Sequence, residues 1–110
     1  MYQGWAEPGI PPGHIVKYYA QVQAQTLTAA TSVRLFMVPG MGHCGGGDGA
    51  STFDMVTALD GWVESGTAPE QIPASRVRNG SLFAAELIHN GLAVLAWIAV
   101  YPPDCVGREA

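Results

Sequence analysis

The chain has 110 residues, a formal net charge of −4, 48% apolar residues and only 13% charged ones. This allows at most one small domain, and the apolar content argues for a packed core rather than disorder. Lys and Arg total only 5, which leaves no basic footprint for nucleic acid and no basic amphipathic helix for a membrane surface.

In chain order, Met1-Tyr2-Gln3-Gly4-Trp5 has no cationic region followed by an apolar one, so no export signal is expected there. Gly4 to Gly13 contains Gly4, Pro8, Gly9, Pro11, Pro12 and Gly13, and reads as a loop from its density of breakers. Gly13 to about Gln25 reads as a helix. Ile15, Val16, Tyr18, Tyr19 and Val22 fall near amphipathic spacing, with Lys17, Gln21 and Gln25 opposite.

Val33 to Val38 is short, apolar and bounded by Pro39-Gly40, the pattern of a buried strand with a sharp exit. Gly40-Met41-Gly42-His43-Cys44-Gly45-Gly46-Gly47-Asp48-Gly49 follows. Glycine loses the most backbone freedom on folding, so this density signals a site where the chain needs positive φ or close approach. Ser51 or Thr52 is placed to cap a second helix running to about Ser65, with Phe53, Val56, Leu59 and Val63 in one stripe and Trp62 beside it. Gly66 suits the left-handed residue after that helix, and Pro69 prevents its continuation.

Gln71 to Asn79 reads as polar and irregular, and the remainder does not choose between strand and helix. Leu82 to Tyr101 is the most apolar window, but Glu86, His89 and Asn90 interrupt it and its unbroken part runs only from Leu92 to Tyr101. A membrane span needs about 20 consecutive apolar residues, so a buried element is the expectation. The order of loop, helix, strand, glycine loop and helix suits the end of a parallel-sheet α/β fold.

Three blocks carry a family resemblance. Arg34 to Gly49 resembles the histidine loop of the tannase and feruloyl esterase family. Trp62-Val-Glu-Ser-Gly-Thr-Ala-Pro69 matches that family's WVE-x-G-x-AP ending, and Gln3-Gly-Trp-Ala-Glu-Pro-Gly-Ile-Pro-Pro12 looks like its acid loop, usually HGWADPLIPP. The blocks stand in family order. The resemblance implies the C-terminal part of an α/β-hydrolase sheet, from a serine esterase with a Ser-His-acid triad and an inserted lid. It makes His43 the general base and Glu7 the acid. It makes Cys44 half of a disulfide whose partner precedes the nucleophile. The implied substrates are esters of gallic, ferulic and related aromatic acids, with terephthalate monoesters among relatives' substrates, and the implied setting is secreted or periplasmic. On this basis the chain divides into a hydrolase segment, residues 1–78, and a divergent apolar tail, residues 79–110.

The sequence departs from the family pattern in three places. The acid is Glu7 rather than aspartate; related hydrolases use either, but the extra methylene must be absorbed by the loop. None of Ser32, Ser51, Ser65, Ser75 and Ser81 stands in the G-x-S-x-G nucleophile elbow, so these residues alone are expected to be inert. Val100 to Val106 does not follow the family's RPLCPYP-like segment, and Cys105 carries no family role.

Plainer readings stand beside these. His43 could be a loop histidine satisfied by a carbonyl, Glu7 a solvated turn residue, and Cys44 a small buried thiol or the partner of Cys105. Asp48, Asp54 and Asp60 lack the closing glutamate of a calcium loop, and the glycine loop lacks the Gly-Lys-Ser/Thr of a phosphate loop. His14 and His89 have no metal-ligand spacing with His43, so no metal and no cofactor is expected. Trp5 fits an aromatic pocket or a core equally. The rival functional reading is a non-catalytic fragment or a small self-associating or binding module, suggested by the absent elbow and the apolar tail.

Overall fold

The computed structural model describes residues 1–91. The run Leu92–Tyr101 and Cys105 lie outside the described residues. β1 (Tyr2–Gly4) and β2 (Phe36–Val38) pair in parallel, with Tyr2 opposite Phe36 and Gly4 opposite Val38. Parallel strands need a crossover of a dozen or more residues, and α1 (Pro12–Gln25) with α2 (Ala29–Ser32) supplies it. Pro12 opens α1, where its missing N–H would have had no helical partner.

The apolar run ending in β2 is buried from Leu35 to Val38, and its successive side chains serve different faces. Leu35 and Met37 pack with Tyr19 of α1, joined by Trp5, Ile15 and Val33. Phe36 and Val38 enter a second cluster with Met41, Ala50, Ile72, Ala74 and Ile88. A strand covered on both sides has no reason to alternate apolar with polar residues, which explains the unbroken run.

The second cluster belongs to a three-stranded antiparallel sheet in the order β3 (Thr52–Phe53), β4 (Gln71–Arg78), β5 (Ser81–His89). Here the structure corrects the expectation that Gln71 to Asn79 is irregular. Pro73 is tolerated in β4 because it lies one residue beyond the short pairing with β3, where its missing N–H breaks no bond of that ladder. Asn79 and Gly80 both have positive φ, 52° and 76°, and make the two-residue hairpin turn that Asn-Gly favours. A division between residues 78 and 79 therefore falls in the turn of a hairpin whose strands pair from Gln71–His89 to Arg78–Ser81. Asn90 ties the end of β5 to β2: its Oδ1 accepts from the Leu35 amide at 3.3 Å and the Tyr19 hydroxyl at 3.3 Å.

α3 (Met55–Ser65) is capped by Asp54, not by Ser51 or Thr52, because Thr52 is taken up in β3. The Asp54 carboxylate accepts from the Thr57 amide at 2.9 Å and the Thr57 hydroxyl at 2.7 Å. Gly66 closes the helix at φ 70°, as expected of the left-handed residue. The stripe of Val56, Leu59 and Val63 faces outward, at 79%, 59% and 74% exposure, while Met55 and Ala58 pack on the core.

Candidate active site

Two connections leave the parallel pair on the same side and meet. Past β1, the Trp5 amide donates to the Val38 carbonyl and the Ala6 amide to the Met41 carbonyl, both at 3.0 Å. The acid segment thus continues the strand pairing alongside the glycine loop until it reaches Glu7. The glycine loop folds on itself through a bridge between Met41 and Gly47, with the Gly42 amide donating to the Gly46 carbonyl at 3.3 Å. Gly47 shows why this loop is glycine-rich: its φ is 82°, and a Cβ there would lie 2.1 Å from the Gly40 carbonyl oxygen.

His43 projects from this loop with its side chain 60% exposed, and its Nδ1 lies 2.5 Å from Glu7 Oε2. Cys44, immediately after it, sits at φ 58°, a left-handed conformation few residues other than glycine adopt. Strain of this kind concentrates at functional sites. The other ring nitrogen, Nε2, has no hydrogen-bond partner among the described residues. With Nδ1 facing a carboxylate, the neutral imidazole carries its proton on Nδ1 and leaves the Nε2 lone pair free.

The Glu7 side chain is only 4% exposed, shielded by its own loop and the imidazole. Its second oxygen, Oε1, accepts from the Gly9 amide at 2.8 Å and from the Ile10 amide at 3.3 Å. The Gly9 amide, foremost, holds this carboxyl below the ordinary carboxylate range against the opposing effect of burial, and His43 and the Ile10 amide add to it. Glu7 is therefore an anchored, ionised acceptor. Gly9 and Ile10 were not singled out in the sequence; Pro8-Gly9 was the available signal, since such a turn presents successive amides to one acceptor.

The structure thus brings two of the sequence-selected residues, Glu7 and His43, together. Cys44 is exposed and forms no disulfide among the described residues. Trp5 packs against the Tyr19 cluster, the core alternative. Asp48 pairs with Arg76 at 3.3 Å on the surface, and Asp54 caps α3. Among the described residues no three His, Cys, Asp or Glu side chains converge to hold a metal ion. No helix among them is long and apolar enough to cross a membrane. A shallow depression between α2 and α3, lined by Thr31, Ser32, Leu59, Trp62, Val63 and Gly66, includes neither Glu7 nor His43.

A family model described as tannase and feruloyl esterase matches residues 1–101. The chain is 45% identical over 74 residues to a mono(2-hydroxyethyl) terephthalate hydrolase from Piscinibacter sakaiensis, a match spanning 67% of this chain and 12% of that protein. It is 36% identical to an uncharacterized esterase from Xanthomonas campestris pv. campestris, across 72% of this chain and 19% of the relative. Its fold superposes on the crystal structure of an esterase from Aspergillus oryzae with a TM-score of 0.72 and 26% identity, covering 81% of this chain and 22% of that one. The fold is accordingly the mixed helix and strand arrangement of these esterases, and the chain spans about one-fifth or less of their length.

Proposed function

Because the chain belongs to the tannase and feruloyl esterase family, we propose that it supplies the histidine and the acid of a serine esterase acting on small esters of aromatic acids. In this reading His43 Nε2 takes the proton of a serine hydroxyl as that oxygen attacks the ester carbonyl. The proton then passes to the departing alkoxide, leaving an acyl-enzyme that water hydrolyses by the same route. Glu7 stays ionised throughout, holding the ring in its Nδ1–H form and stabilising the imidazolium. The serine comes from outside these 110 residues, since none of theirs occupies an elbow.

The observation that carries the reading is the Nδ1 contact between His43 and Glu7 at 2.5 Å, with Nε2 left without a partner among the described residues and the side chain 60% exposed. A general base needs that face open, because the proton it takes must come within hydrogen-bond reach. The family's esterase description supports the reaction class, and that description together with the terephthalate monoester hydrolase supports an aromatic acyl group. The reading also carries a secreted or periplasmic setting, in which Cys44 joins a disulfide.

The test is a chimera in which this chain replaces the matching segment of a relative that carries the nucleophile. Hydrolysis of methyl ferulate or methyl gallate by the chimera, abolished in His43→Ala, is the expected result. A chimera equally active with and without His43 removes it from the mechanism. The outward Val56, Leu59 and Val63 favour a second reading, a self-associating module without catalysis. Sedimentation of the chain separates the two, because a monomer at all concentrations rules the second out.

A further inference from the structure

We propose that Gly4, together with the Ala6 amide, positions the Glu7–His43 pair by letting the acid segment lie directly against the backbone of the histidine loop. Gly4 is the last residue of β1 and is buried. A Cβ built on it would stand 1.9 Å from the Met41 carbonyl oxygen, 2.6 Å from the Met41 carbonyl carbon and 2.7 Å from the Gly42 carbonyl oxygen. All three are backbone atoms, so no side chain can rotate away to make room. Gly4 lies in a strand and not in a positive-φ turn, so its backbone conformation is open to any residue. What the position demands is clearance, the usual reason for a glycine where another backbone approaches closely.

The clearance is spent on one contact. Met41 stands two residues before His43, and Gly4 three before Glu7. The Met41 oxygen that crowds Gly4 also accepts the Ala6 amide at 3.0 Å. That carbonyl is therefore the common point from which both chains run to the pair. A side chain on Gly4 moves the two backbones apart by roughly 1 Å or more before van der Waals contact is restored. The Glu7–His43 contact, at 2.5 Å, then leaves hydrogen-bonding range, which ends near about 3.2 Å. Gly4 and Ala6 act through the backbone and touch no reacting atom, so they are positioning residues. Their catalytic meaning rests on the esterase reading, whereas the geometry they enforce does not.

The test reads the tautomer of His43 in the chain as it stands. Long-range proton–nitrogen correlation spectra of chain labelled at its 3 histidines, taken where they are neutral, report which ring nitrogen carries the proton. His14 and His89 serve as internal references. Wild type is expected to hold His43 in the Nδ1–H form, and Glu7→Gln to show the signature of the broken pair. Gly4→Ala is expected to reproduce that signature while still unfolding cooperatively and keeping the reference signals. A folded Gly4→Ala with His43 unchanged overturns the proposal. Should Gly4→Ala not fold, Ala6→Pro, which removes the N–H bonded to Met41, decides: loss of the Nδ1–H form supports the proposal and its retention overturns it. None of these readouts measures turnover, so they fail or succeed separately from the chimera.

Discussion

His43 and Glu7 are 36 residues apart in sequence, yet Nδ1 of one and Oε2 of the other stand 2.5 Å apart. The two side chains are unequal partners. Glu7 is enclosed and pinned by the Gly9 and Ile10 amides, whereas His43 is largely open to solvent. The acid is fixed by its own loop, and the histidine is oriented by the acid.

The pair is expected to fail at low pH in one direction. Glu7 titrates lower when folded than its ordinary value, chiefly through the Gly9 amide. Its stabilising contribution is therefore complete above the ordinary carboxylate range and is lost as the pH falls through the lower folded value. Acid unfolding of wild type and Glu7→Gln should differ at neutral pH and converge at low pH. Parallel curves across the whole range would show that the carboxylate is not held by these amides.

Shortening the acid should harm this chain even though the wider family uses aspartate. With Oε1 on two amides and Oε2 on the imidazole, Glu7→Asp must release one set. In the active chimera kcat is expected to fall about 10²-fold, the scale of a 1 Å misplacement, with KM nearly unchanged. Full activity would mean that the turn after Pro8 relaxes freely.

Phe36 joins β2 to the antiparallel sheet and is 2% exposed. Phe36→Ala should cost about 3–5 kcal/mol, a large share of the stability of so small a chain. Urea denaturation followed by circular dichroism measures it. A loss well under 1 kcal/mol would mean that the cluster collapses around the cavity.

Asp54 is the cap of α3, and Asp54→Ala should lower the melting temperature by about 4–8 °C. The carboxyl is held below its ordinary value by the Thr57 amide first and the Thr57 hydroxyl second. The same sign reasoning applies, so the difference from wild type should shrink as the pH falls through the folded value. Thr52→Ala, by contrast, should leave the helix cap intact.

Local chemistry was legible wherever one short segment decides the outcome. The apolar run of β2, the breaker-rich loop before α1, the closing Gly66 and the three family blocks could be read directly, and with them Glu7, His43 and Cys44 as the residues to watch. The Asn79-Gly80 turn was equally local but closes a stretch whose polar residues read as irregular. The outward face of α3 was a different matter. Val56, Leu59 and Val63 form one stripe and Met55, Ala58 and Trp62 another one residue behind, so periodicity alone does not say which meets the core.

What the sequence by itself determined was lineage, because three motif blocks in family order carry it, and it marked Glu7 and His43 as the residues to follow. Only the tertiary structure decided that the Glu7 carboxylate meets the His43 imidazole. That depends on where the Gly9 and Ile10 amides point and on how closely Gly4 lets two backbones approach at Met41. Such distances are set by chain segments remote in sequence packing against each other, and hydrogen bonding turns on differences of a few tenths of an ångström. The contact between Glu7 and His43 belongs to the fold rather than to either loop.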